Sequence, residues 1–155
     1  MKFTSAIITL IVLGAIYYFV SPQIPLHIGV KNLSPIQGFG SNLRLTVTLN
    51  NFTAQKKTLD LTSSDILASS LLYIDHAEAP AADSSLIVEP LATLDIPAFS
   101  RQEFTIEMQL NEGSGDKKPQ ILRGDAKRLT LAGGEHSYMV SIGGNISGKQ
   151  HFTVQ

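Results

Sequence analysis

The densest set of metal-ligating side chains in the chain is Asp75-His76-Ala77-Glu78. The four histidines stand at 27, 76, 136 and 151, and no two share the spacing that puts ligands on one face of a helix. A metal at His76 would therefore need ligands from elsewhere in the fold, and the plainer reading is a solvated loop rich in Ala, Pro and Asp. Asp60, Ser63, Ser64 and Asp65 gather oxygens as a calcium site does. Their spacing is not that of an EF-hand loop and the central glycine is missing. Capping of a helix start accounts for them more simply. Arg123-Gly124-Asp125 is an integrin-type tripeptide, a sequence common by chance. Asn32-Leu33-Ser34, Asn51-Phe52-Thr53 and Asn145-Ile146-Ser147 have the pattern of glycan acceptors. In a chain this rich in Ser and Thr such a pattern also arises by chance.

Other chemistries are excluded by what the sequence lacks. There is no cysteine, so disulfides, thiolate catalysis, cysteine zinc sites and iron–sulfur ligation are ruled out. No Gly-X-Ser-X-Gly elbow serves a serine nucleophile, and no glycine-rich loop followed by Lys and Ser/Thr cradles phosphate. With 12 basic and 13 acidic residues the chain has neither a basic footprint for nucleic acid nor an acidic tail. The expectation is a non-enzymatic protein with no catalytic residue, no metal and no cofactor, and with no nucleic acid among its partners.

The elements that remain begin with an apolar run. Phe3 to Val20 carries no charged residue. Eighteen helical residues span about 27 Å, close to the hydrocarbon thickness of a bilayer. Such a run becomes a helix in lipid because the backbone must satisfy itself there. Residues 1–22 are therefore expected to form a transmembrane signal-anchor helix. Phe3, Ile7, Ile8, Leu10, Ile11, Val12, Leu13, Ile16, Tyr17, Tyr18, Phe19 and Val20 would face lipid. The aromatic cluster at 17–19 suits the membrane–water interface, and Ser21-Pro22 ends the helix. A cleaved signal peptide is the rival reading. The bulky end Tyr17-Tyr18-Phe19-Val20-Ser21 lacks the small residues that cleavage wants. Lys2 and the amino terminus on one side, with no lysine or arginine on the other until Lys31, place the N-terminus in the cytoplasm and the remainder outside.

From Ile24 onward the apolar period is two. Leu43, Leu45, Val47 and Leu49 alternate with polar residues, as do Phe104, Ile106, Met108 and Leu110, and Tyr138, Val140 and Ile142. Shorter strands are expected at 25–30, 58–62, 70–74, 86–88, 91–96, 128–131 and 150–154. Gly38–Asn42, Asn50-Asn51 and Asn111–Asp116 supply turns, and Gly133-Gly134 and Gly143-Gly144 have the composition of tight hairpins. Pro90 and Pro97 mark an edge or corner. Short helical pieces are expected at 63–72 and 119–123. Residues 23–155 thus read as one all-β domain. The expected architecture is a two-sheet antiparallel β-sandwich of immunoglobulin or fibronectin-III type, with about seven to nine strands.

The stretch Leu43-Arg-Leu-Thr-Val-Thr-Leu-Asn-Asn-Phe52, then Leu59-Asp60-Leu61, then Leu94-Asp-Ile-Pro-Ala-Phe-Ser-Arg-Gln-Glu-Phe-Thr-Ile106, resembles the core of the LEA-2, or water-stress-hypersensitivity (WHy), domain. Asn50-Asn51-Phe52 stands where that family has Asn-Pro-Asn. The resemblance implies a small β-sandwich, often carried behind a membrane helix, acting as an interaction or stress-related module. Together with the anchor it leads to an extracytoplasmic binding or scaffolding module whose partners are the lipid bilayer through residues 3–20 and either protein partners or copies of itself. The alternative is a structural subunit of a large assembly, such as a minor membrane protein of a virion or a filament subunit. The low share of charged residues, 16%, and the Ser/Thr/Gln-rich strand faces suit lateral packing of that kind.

Overall fold

The computed structural model describes residues 2–78 and 90–155, with side chains from residue 6 onward. The strand expected at 86–88 lies outside that set. Helix α1 runs Lys2–Val20 and passes directly into a 3-10 turn at Ser21–Gln23. Ser21 is fully buried, and its hydroxyl donates to the Tyr18 carbonyl at 3.1 Å, so the turn grips the last helical turn. Only residues 24–26 then separate this turn from the first strand.

The rest of the described chain is mostly strand. β1 is His27–Asn32, β2 Ile36–Gln37, β3 Asn42–Asn50, β4 Lys57–Leu61, β5 Ser70–Ile74 and β6 Ala92–Ile96. β7 is Arg101–Glu112, β8 Gln120–Arg123, β9 Arg128–Leu131, β10 Gly134–Ile142, β11 Asn145–Ile146 and β12 Gln150–Val154. They form a four-stranded sheet in the order β1-β3-β7-β9, a six-stranded sheet β2-β12-β10-β5-β8 with β11 on β10, and a two-stranded sheet β4-β6. The alternation read from the sequence sets the inner faces. Leu43, Leu45, Val47 and Leu49 of β3 are at most 1% exposed, as are Ile106, Met108 and Leu110 of β7 and Val140 and Ile142 of β10. Leu59, Leu61 and Ile96 of the small sheet join the same core cluster. Each such side chain contributes about 1.5–3 kcal/mol of burial, which is what fixes the register, because a one-residue slip would turn the whole set outward.

Four local expectations are corrected. Residues 63–72 are not a helix. Ser63 and Asp65 side chains accept the amides of Asp65 and Leu67, a single turn closes from the Ser69 amide to the Asp65 carbonyl at 3.0 Å, and Ser70 then enters β5. Short Ser and Asp side chains compete with the helical backbone in this way. The helical piece expected at 119–123 is strand instead: Gln120–Arg123 forms β8 by pairing with β5, and long-range pairing outweighs local propensity. Gly133-Gly134 is not a hairpin turn: β9 pairs in parallel with β7, whereas β10 lies in the other large sheet, so the glycines cross between sheets. Pairing is not wholly antiparallel either, since β12–β2 is parallel as well. The Gly143-Gly144 hairpin is as expected. Both glycines have positive φ, +53° and +75°, and a Cβ on Gly143 would come within 2.9 Å of Leu59.

Candidate membrane interface and a buried polar pair

Every residue from 6 to 20 is exposed, on all sides of α1. Of the expected anchor residues, Ile7, Ile8, Leu10, Ile11, Val12, Leu13, Ile16, Tyr18, Phe19 and Val20 present about half or more of their surface, and Tyr17 is the least exposed at 39%. The Phe3 side chain lies outside the described set. The helix is apolar all round and, Tyr17 apart, largely uncovered. Among the described residues it is the one helix long and apolar enough to cross a bilayer.

The exit of α1 meets one end of the four-stranded sheet. His27, Asn50 and Arg101 form the last row across β1, β3 and β7. Beyond that row lie the β3–β4 loop and the β6–β7 loop. They are stitched together by the Asn51 amide on the Ser100 carbonyl (2.9 Å) and the Phe99 amide on the Thr53 carbonyl (3.1 Å). Asn51, 1% exposed, is the keystone. Its Nδ2 donates to the carbonyls of Gln55, Ile96 and Pro97 at 2.8–3.0 Å, and its Oδ1 accepts from the Thr53 amide and hydroxyl. An asparagine so engaged is not accessible for glycosylation in the folded chain. Phe52 and Phe99 project from this frame, 59% and 68% exposed. Tyr17 stacks on Phe99 with ring centres 6.3 Å apart and donates its hydroxyl to the Phe52 carbonyl. Lys57 donates to the Pro22 carbonyl at 2.6 Å.

The opposite end is built differently. Asp75, at φ +56°, accepts the Ser137 amide on Oδ1 (2.9 Å) and faces His136 Nδ1 through Oδ2 (2.6 Å). His136 is 1% exposed, and its Nε2 lies 2.8 Å from the Ala132 carbonyl. Both ring nitrogens thus lie within hydrogen-bond reach of oxygen atoms. The pair borders an open cavity of about 260 Å³ lined on one side by the 113–118 loop.

The remaining candidates from the sequence are dispersed. Asp75 turns to His136, while His76 packs edge-on against Tyr73. No group of three or more His, Asp or Glu stands together among the described residues. Ser63 and Asp65 cap their own turn. In the Arg-Gly-Asp tripeptide Gly124 is buried with its amide on the Ser70 carbonyl, and Arg123 pairs with Asp125 at 2.9 Å. Sequence reasoning missed both the Asp75–His136 pair and the Phe52–Phe99 cluster. The one available signal was an isolated phenylalanine in each of two polar turns.

No family profile matches this sequence, and no curated protein matches it. Similar solved structures include a Pseudomonas fluorescens alkylpurine DNA glycosylase, AlkC, bound to DNA containing an abasic site analog, at 15% identity and a TM-score of 0.48. That likeness covers 84% of this chain and 30% of the glycosylase. A beta-glucosidase from Listeria innocua in complex with glucose is similar at 14% identity and TM-score 0.41, covering 84% and 16%. The beta-glucosidase EmGH1 from Erythrobacter marinus is similar at 13% identity and TM-score 0.44, covering 84% and 15%. The chain spans less than a third of each of these proteins, and likenesses this distant carry no argument about its activity.

Proposed function

We propose that this protein is a single-pass, membrane-anchored module: α1 spans the bilayer, and residues 23–155 form a non-enzymatic β-sandwich on the extracytoplasmic side that binds or scaffolds a partner. The observation that carries the reading is the all-round apolar exposure of residues 6–20, a surface that water would not tolerate uncovered. The sandwich reading takes the four- and six-stranded sheets as its two layers over the shared core, with β4-β6 closing one side. The resemblance of residues 43–106 to the LEA-2 domain supports an interaction role, and Lys2 against the uncharged far flank of the helix supports an inside N-terminus.

The absence of native cysteine makes the topology directly testable. A single Ser114→Cys substitution, in the exposed 113–118 loop, should react with a membrane-impermeant maleimide in intact cells. Labelling only after lysis would reverse the orientation. The mass of the detergent-solubilised full chain then separates the partner classes. A monomer supports a tethered binding module, and a defined oligomer supports a structural subunit of an assembly.

A further inference from the structure

We propose that Phe52 and Phe99 are lipid-dipping side chains: the β domain seats its loop end in the headgroup–acyl boundary of the membrane that α1 spans. The inference rests on the membrane reading above and goes beyond it, because an anchored domain need not touch lipid at all.

Depth along the membrane normal is the deciding quantity. The 19 residues of α1 measure about 28 Å, so the helix fills the hydrocarbon and its end lies at the boundary. Tyr17 is three residues before that end, about 4.5 Å deeper along the axis. Whatever touches Tyr17 shares its depth. Phe99 stacks on the Tyr17 ring, and the Phe52 carbonyl takes its hydroxyl. The two loops therefore reach below the end of the helix, into the zone where aromatic belts sit.

The rings are not merely a cap on the helix. After packing against it they remain 59% and 68% exposed, an apolar surface continuous with that of α1. Their backbones are fixed by the Asn51 network, and Phe99 sits at φ +51°, a conformation costly for a bulky residue that nonetheless points the ring outward. Around them stand Lys57 on the Pro22 carbonyl, Lys56 paired with Asp95, and Arg101 paired with Glu103. Acyl chains suit the phenylalanines.

The chain has no tryptophan, so an introduced indole reports alone. The full chain would be reconstituted in phosphatidylcholine vesicles brominated either near the headgroup end or near the tail of the acyl chains. Four single variants would be compared: Phe52→Trp, Phe99→Trp, Leu10→Trp within the helix, and Ser114→Trp at the far end of the domain. The expected result is loss of most Phe52→Trp and Phe99→Trp emission to the shallow bromines and much less to the deep ones. Leu10→Trp should be quenched by the deep bromines, and Ser114→Trp by neither. If Leu10→Trp is quenched while positions 52 and 99 behave like 114, the anchor stands and the lipid-dipping proposal is overturned. If Leu10→Trp escapes quenching, the membrane-spanning reading itself fails.

Discussion

The two ends of the β domain solve opposite problems with the same kind of device. At each end a short polar side chain locks a turn: Asn51 at the helix end, Asp75 at the far end. Around Asp75 the lock turns inward, and His136 is buried behind it beside Phe152, 5.7 Å away. Around Asn51 the lock turns outward, and the rigid frame is used to hold Phe52 and Phe99 away from the core. β7 alone separates the two ends by about 36 Å. The aromatic exposure is therefore not slack folding. The end that exposes large apolar rings is held by the Asn51 side chain and by backbone bonds between its two loops.

The contrast is most easily upset at the buried pair. Asp75→Ala removes the partner of a buried imidazole and of the Ser137 amide, and at about 1–3 kcal/mol for each group left unsatisfied should cost about 2–6 kcal/mol in denaturant melts of the detergent-solubilised chain. Combining it with His136→Leu should cost less than the sum of the two single changes. Asn51→Ala should come next at about 3 kcal/mol, for the three donor bonds it loses. A neutral outcome at Asn51 would mean that the loop end is not a rigid frame. Phe99→Gly should act in the other direction and raise stability in detergent by about 1 kcal/mol by relieving the positive φ. The domain would then give up stability to keep a ring there.

The remaining effects are those of pH. Burial pushes the Tyr138 phenol up to about 12 from its ordinary value of 10. Its folded form thus favours the proton, so its contribution is complete below pH 10 and is lost as pH rises through about 12. Tyrosinate absorbance during an alkaline titration should show one of the four tyrosines ionising late. At the acid side, the Lys56 and Thr58 side chains hold Asp95 below the usual carboxylate range, and Arg44 and Asn42 do the same for Glu107. Their contribution is present above that range and fades as pH falls through the lowered values. Both groups are fully solvated, so Glu107→Gln should leave the neutral-pH melt nearly unchanged.

Much of the fold was legible because β3 and β7 each bury one face, and period two survives wherever one face is wet. The illegible parts were those where distant partners decide. Residues 63–72 carry apolar residues at helical spacing, yet pairing of β5 with β10 and β8 claims the last three of them. The Asp75–His136 contact joins residues 61 apart, a distance no local pattern reports. Phe52 and Phe99 were visible singly as aromatics in turns. Only the last row of the sheet, which sets Asn50 beside Arg101, brings them to one place.

Everything proposed for the loop end depends on α1 lying in the bilayer. The decisive measurement is a wash of membranes that contain the full chain with alkaline carbonate. The protein should stay in the pellet and leave it only with detergent. Release into the carbonate supernatant would overturn the membrane assignment, and residues 2–20 would then have to be covered by protein instead of lipid.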